Sequence, residues 1–168
     1  MAIPEIERKF LLRQMPSDLD LSMGVRILQG YLCLEPGREI RIRSMARQYT
    51  MTIKEGQGLV RRETEIALDP KQFEDLWQCT LGRRIDKMRY DYPWQGYTLS
   101  IDLYRDALEG LNVVEVEFAS EAAGAAFQVP AFAGDDITAI GNYFHLEQVL
   151  QRRDQAATLN AGAVFTVV

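Results

Sequence analysis

The feature that most constrains this chain is a two-residue alternation in which one side of each segment is apolar and the other carries like charges. In IPEIERKFLL, Glu5, Glu7 and Lys9 alternate with Ile6, Arg8 and Phe10, and an extended strand sends two such sets to opposite faces. The pattern recurs along two thirds of the chain. Arg41 and Arg43 share a face opposite Ile40 and Ile42, Thr52 and Lys54 one opposite Met51 and Ile53, and Glu115 and Glu117 one opposite Val114, Val116 and Phe118. Glu63 with Glu65, Lys87 with Arg89 and Ser100 with Asp102 repeat it. A solvent face normally mixes polar residue types, whereas like charges two apart on a strand lie about 7 Å from each other and repel. Groups of opposite sign should therefore sit between them.

Eight segments read as strands: 3–12, 24–34, 39–45, 48–55, 59–68, 83–93, 97–105 and 111–118. Short turn-like joints, EPGR at 35–38, EGQG at 55–58 and QG at 95–96, favour hairpins and a mostly antiparallel sheet, closed into a barrel. EGQG lacks the GK[ST] and following helix of a phosphate-binding loop. Helices are few. Asp69-Pro70 has the form of an N-cap followed by Pro at the first helical position, and Phe73, Leu76 and Trp77 continue at helical spacing over 70–81. A second short helix is expected from Ser120 through AAGAAF. A third is expected from a Gly134-Asp135-Asp136 cap, with Ile137, Ile140 and Phe144 on its apolar stripe. Residues 1–154 are read as one domain and 155–168 as a tail of open structure.

A formal net charge of −5 argues against a generally basic surface for nucleic acid or membrane, so any basic site must be local and enclosed. Cys33 and Cys79 are isolated and His145 is the sole histidine. Neither a zinc cluster nor a Cys/His or Ser/His/Asp arrangement is easily built from these, and metal chemistry would have to use oxygen ligands. No apolar run approaches the roughly 20 residues of a membrane-spanning helix, and the expected location is the cytoplasm. Whether two chains associate as a homodimer is left open.

With the ionisable faces turned inward, acidic strands (Glu5/Glu7, Glu63/Glu65, Asp102, Glu115/Glu117) and basic strands (Lys9, Arg41/Arg43, Lys54, Lys87/Arg89) would line one cavity, and the apolar faces would point outward. Unpaired charge in such an interior is costly. The acids are therefore expected to hold divalent cations, Mg²⁺ or Mn²⁺ given carboxylates without histidine, and the bases a chain of phosphates.

These residues bring the chain to a known family. The Glu-x-Glu-x-Lys strand Glu5-Ile6-Glu7-Arg8-Lys9 resembles the signature of the CYTH domain, or triphosphate tunnel metalloenzymes. The resemblance continues in order through Arg41 and Arg43, Lys54, Glu63 and Glu65, Lys87 and Arg89, Asp102, and Glu115 and Glu117. LQGYLCL, RRIDKMRY and LNVVEVEFAS look most similar to short bacterial tripolyphosphatase-like members. The resemblance implies an eight-stranded antiparallel tunnel with a charged interior, flanking helices and a C-terminal helix near one mouth. It also implies metal-dependent hydrolysis of tripolyphosphate or a related small-molecule triphosphate. ATP cyclisation, as in a class of adenylate cyclases, and triphosphate binding without turnover are the alternatives.

Carried onto this chain, the resemblance makes Glu5, Glu7, Asp102, Glu115 and Glu117 metal ligands. Lys9, Arg41, Arg43, Lys54, Lys87 and Arg89 become the substrate-binding set, and Lys87, Glu63 and Glu65 catalytic candidates. The chain departs from the short bacterial pattern in AIGNYFHLEQVL, where Tyr143 is retained but Asn142 and His145 replace a basic residue and an Asn.

Overall fold

The computed structural model describes residues 6–56 and 62–139. Nine strands form one sheet: β1 (Ile6–Leu12), β2 (Val25–Glu35), β3 (Arg38–Met45), β4 (Gln48–Glu55), β5 (Arg62–Leu68), β6 (Arg84–Trp94), β7 (Tyr97–Tyr104), β8 (Asn112–Phe118) and β9 (Ala133–Asp136). Their order is β5-β4-β3-β2-β6-β7-β8-β1-β9, with every neighbouring pair antiparallel. The eight expected strands are all present. The ladder is not closed among the described residues: β5 pairs with β4 alone, and the free edge of β1 is taken at Phe10 and Leu12 by β9.

The apolar faces point outward and are buried by what packs on them. Phe10, Leu99, Ile101, Val114, Val116 and Phe118 meet Phe127 and Ala133, so the segment that follows β8 covers β1, β7 and β8. That segment includes α2 (Glu121–Ala126), capped by the Ser120 side chain, which accepts from Ala123 N–H. On the opposite flank, α1 (Pro70–Trp77) starts from a full capping box between Asp69 and Gln72. Phe73 of α1 contacts Tyr49 with ring centroids 4.9 Å apart, fastening α1 to β4.

The third expected helix does not begin at Gly134-Asp135-Asp136. Those residues lie in β9, and Asp136 Oδ1 accepts from both the N–H and the hydroxyl of Thr138. Such a side-chain turn uses the same residue type as a helix cap, and pairing with β1 decides between the two. Ile137 is buried; Ile140, Asn142, Tyr143, Phe144, His145 and the tail 155–168 lie outside the described residues.

One close approach seats α1 on the sheet. After α1, the 3₁₀ turn Gln78–Thr80 packs against Gly30 of β2, where an added Cβ would lie 2.6 Å from Thr80 Oγ1. Thr80 has no room to give way: it is fully buried, donates to Trp77 O at 2.7 Å and accepts from Arg84 Nε at 3.0 Å. Gly30→Ala is expected to destabilise the fold by about 2 kcal/mol through overpacking, read as a lowered urea midpoint. An unchanged midpoint would show that this contact yields freely.

Candidate functional site

A cavity of about 200 Å³ lies on the concave side of the sheet, and β1 through β8 each contribute to its wall. Every expected phosphate-binding residue lines it: Lys9 from β1, Arg41 and Arg43 from β3, Lys54 from β4, and Lys87 and Arg89 from β6. Glu7, Glu63, Glu115 and Glu117 line it too. Strand alternation brings most of them together, Glu7 with Lys9, Arg41 with Arg43, Lys87 with Arg89 and Glu115 with Glu117 each lying two residues apart on one strand, while Lys54 and Glu63 come singly from β4 and β5. Glu5 lies outside the described residues.

The charges interleave. Lys9 Nζ stands 3.1 Å from Glu7 and 3.3 Å from Glu115, and Lys54 Nζ is 3.1 Å from Glu63. Arg89 bridges Glu115 at 2.5 Å and Asp102 at 2.6 Å, and Lys87 donates to Asp102 at 2.5 Å. The β1–β8 register sets Lys9 opposite Glu115 but Glu7 directly opposite Glu117, a like-charge pair that destabilises a ladder unless something cationic lies between. Arg43 is the converse case. Its Nε is buried with no hydrogen-bond acceptor among the described residues. Burial first, then the neighbouring Arg41 and Arg89, lower its pKa.

Burial also pulls the Lys87 pKa below that of an ordinary lysine, against the attraction of Asp102 and Glu115. At Glu115 burial opposes ionisation, yet Lys9, Lys87 and Arg89 together outweigh it and hold the carboxyl well below its usual range. Burial and nearby Glu39 push the Tyr31 hydroxyl up to about 12, so it remains a proton donor at neutral pH.

Two expected residues do not line the cavity. Glu65 is exposed, with the Thr52 hydroxyl donating to it at 3.4 Å; β5 ends the sheet, and its face opens to solvent beyond Glu63. Asp102 has no exposed surface and lies behind Lys87 and Arg89. The structure adds Gln29, Tyr31, Ile85 and Tyr104 to the wall, and places Glu39, buried, 3.8 Å from Arg41. Gln29 and Tyr31 alternate within LQGYLCL and Glu39 precedes Arg41 by two, so period two carried the signal, but the first pair bears no charge to draw attention. Tyr31, Ile85 and Tyr104 belong to a buried cluster with Leu108, Leu111, Val113 and Ile137, an apolar floor beneath the charges.

The chain is 43% identical over 136 residues to the inorganic triphosphatase of Nitrosomonas europaea, covering 80% of this chain and 89% of that protein. It is 27% identical over 143 residues to the inorganic triphosphatase of Acetivibrio thermocellus, covering 84% and 90%. A crystal structure of an inorganic triphosphatase, 39% identical, matches with a TM-score of 0.60 over 80% of this chain and 89% of that one. No family model matches the chain.

The depressed Glu115 pKa ties the stability of the fold to pH. Its ionised form stabilises the fold above the ordinary value of 4.5, and that contribution is lost as pH falls through the lower folded value. In metal-free buffer, Glu115→Gln is expected to cost about 3 kcal/mol at pH 7, with the gap to the unsubstituted protein narrowing as pH drops below 4.5. Urea midpoints over that range test this, and a gap independent of pH would refute it.

Proposed function

The chain belongs to the CYTH, or triphosphate tunnel metalloenzyme, family, and we propose that it hydrolyses inorganic tripolyphosphate to release phosphate, a divalent cation entering with the substrate. The observation that carries this reading is Arg43, a half-buried arginine whose buried Nε lacks an acceptor among the described residues and whose neighbours include two further arginines. Six cations, Lys9, Arg41, Arg43, Lys54, Lys87 and Arg89, face one small space from four strands. That arrangement suits an extended anion with many equivalent oxygens.

Charge balance supports a metal as co-ligand. Four carboxylates line the cavity beside the six cations, and Asp102 and Glu39 behind them bring the acids to six. A wall already neutral overall accepts a polyanion readily only if positive charge comes with it. Glu7 opposite Glu117 supplies oxygen donors of the kind Mg²⁺ or Mn²⁺ prefers. Among the described residues no three His, Cys, Asp or Glu side chains gather into a ready-made metal cage. Glu7, Glu115 and Glu117, with Glu5, are the proposed ligands. When bound, the cation supplies Lewis-acid neutralisation of phosphate charge.

The side chains do the rest by position and charge. Lys9, Arg41, Arg43, Lys54 and Arg89 hold the non-bridging oxygens and stabilise the charge that collects on the departing phosphate. Lys87 reaches the cavity and is drawn toward its neutral form, the two requirements of a group that takes a proton from the attacking water. Glu63, beside Lys54, helps to place that water. Glu65, exposed, is left out of this role. Among the described residues Ile85 is the single aliphatic side chain on the wall, and Tyr31 and Tyr104 are both buried in the floor cluster. The cavity thus offers little to grip a nucleobase, which favours the inorganic substrate over ATP.

Phosphate release from tripolyphosphate, ATP, thiamine triphosphate and pyrophosphate, each with Mg²⁺ and with Mn²⁺, tests the reading. Tripolyphosphate is expected to turn over fastest, and Glu117→Ala or Arg43→Ala to lower kcat/KM by about a hundredfold. Cyclic AMP formed from ATP would make the protein a cyclase, and tight tripolyphosphate binding without turnover would make it a binding module.

A further inference from the structure

Among the described residues Asp102 is the one carboxylate with no exposed surface, lying just behind the cavity wall, and its surroundings differ from those of the other acids. Both of its oxygens are engaged: Oδ1 accepts from Arg89 Nε at 2.7 Å, and Oδ2 from Arg89 Nη2 at 2.6 Å and Lys87 Nζ at 2.5 Å. The register explains the contacts. On β6, Arg89 is its direct cross-strand partner and Lys87 lies one step along the same face, opposite Tyr104. On its other side Asp102 faces Val113, which is buried and apolar.

That register also separates it from the Glu7–Glu117 pair. Val113 lies two residues before Glu115 and four before Glu117 on β8, so the level of Asp102 is about 7 Å from that of Glu115 and about 14 Å from the Glu7–Glu117 pair. A single cation held by Glu7 and Glu117 is out of reach of a carboxylate at that depth, and the space between Asp102 and Glu115 is already taken by Arg89 Nη2, 2.6 Å from the first and 2.5 Å from the second.

We propose that Asp102 is a positioning residue for Lys87 and Arg89 and not a metal ligand. The idea rests on the functional reading above, in which those two cations meet the phosphates. The bidentate contact fixes the plane of the Arg89 guanidinium, and its Nη2 is shared with Glu115 at 2.5 Å. Arg89 is thereby locked between a buried acid and an acid of the cavity wall, leaving Nη1 for substrate. Lys87 is confined between the carboxylate and the face of Tyr104, 5.3 Å from the ring centroid. Whether ammonium or amine, a Lys87 nitrogen that donates to Asp102 turns its remaining positions toward the cavity. Without this anchor both long side chains would have to be ordered by the substrate itself, so their contribution to turnover falls.

The experiment compares Asp102→Asn with Glu117→Gln. Binding of Mn²⁺ alone is measured by calorimetry without substrate, and kcat and KM are measured with tripolyphosphate. For Asp102→Asn the expected result is Mn²⁺ affinity within about threefold of the unsubstituted protein and kcat lowered by about tenfold or more. For Glu117→Gln, Mn²⁺ affinity should fall by about tenfold. In a Lys87→Met background, Asp102→Asn should cost clearly less than it does alone, because one of its two clients is gone. Loss of Mn²⁺ affinity matching that of Glu117→Gln, unchanged turnover, or full additivity with Lys87→Met would each overturn the proposal. Anomalous diffraction from crystals of the unsubstituted protein soaked in Mn²⁺ decides the matter even if Asp102→Asn fails to fold. Mn²⁺ bonded to Asp102 refutes it, and Mn²⁺ on the glutamates with Asp102 still held by Lys87 and Arg89 supports it. Absence of tripolyphosphate hydrolysis by the unsubstituted protein would reject the functional reading, while the calorimetry and diffraction would still decide what Asp102 holds.

Discussion

Glu7 and Glu117 stand opposite each other on neighbouring antiparallel strands, with Lys9 and Glu115 paired one step deeper. The first pairing repels and the second attracts. The rest of the interior extends this contrast. Each cluster of one sign is tethered by members of the other, as Lys9 is by two glutamates and Lys54 by Glu63. Two features stand out within this network: a pair of acids that face each other across β1 and β8, and Arg43, whose Nε finds no acceptor among the described residues. Both open onto the same cavity.

An inward charged face forces the outward face to be apolar, and this inversion sets what the remaining chain must do. A sheet cannot leave Phe10, Leu99, Ile101, Val114 and Val116 in water. The segment after β8, including α2 and β9, lies over them, while α1 covers β3 and β4 from the other side. Covering and catalytic architecture are thus linked through β1. Its outer Arg8 is held by Asp136 at 2.7 Å, and its backbone at Lys9 donates to the Thr138 hydroxyl and accepts from Ile137 N–H. The strand that carries Glu7 and Lys9 is held in place by contacts made on the outside of the sheet.

Much of this was legible beforehand because a strand's side-chain period is fixed by backbone geometry. Arg41 with Arg43 and Lys87 with Arg89 could share a face only in extended chain, and each pair does so on the wall of one cavity. Where the reading failed, short-range and long-range demands used the same residue types. Gly134-Asp135-Asp136 satisfies a helix cap and a side-chain turn equally well, and only pairing with β1 selects the strand. Asp102, expected on the cavity wall, carries the same charge and periodicity as the acids that do line it, so nothing local distinguishes an acid facing a cavity from one lying behind two cations.

The chain by itself determined which residues share a face and which faces oppose water, since alternation is a local property of extended backbone. It also determined the chemistry available, with carboxylates, guanidiniums and amines in place of thiols and imidazoles. What the tertiary structure decided was depth and register: Glu117 opposite Glu7 but several residues from the level of Asp102, Glu65 out in solvent, and Tyr31 and Tyr104 in the floor. Those relations arise from how distant strands slide past one another before their hydrogen bonds lock, and spacing along a single strand does not encode that offset.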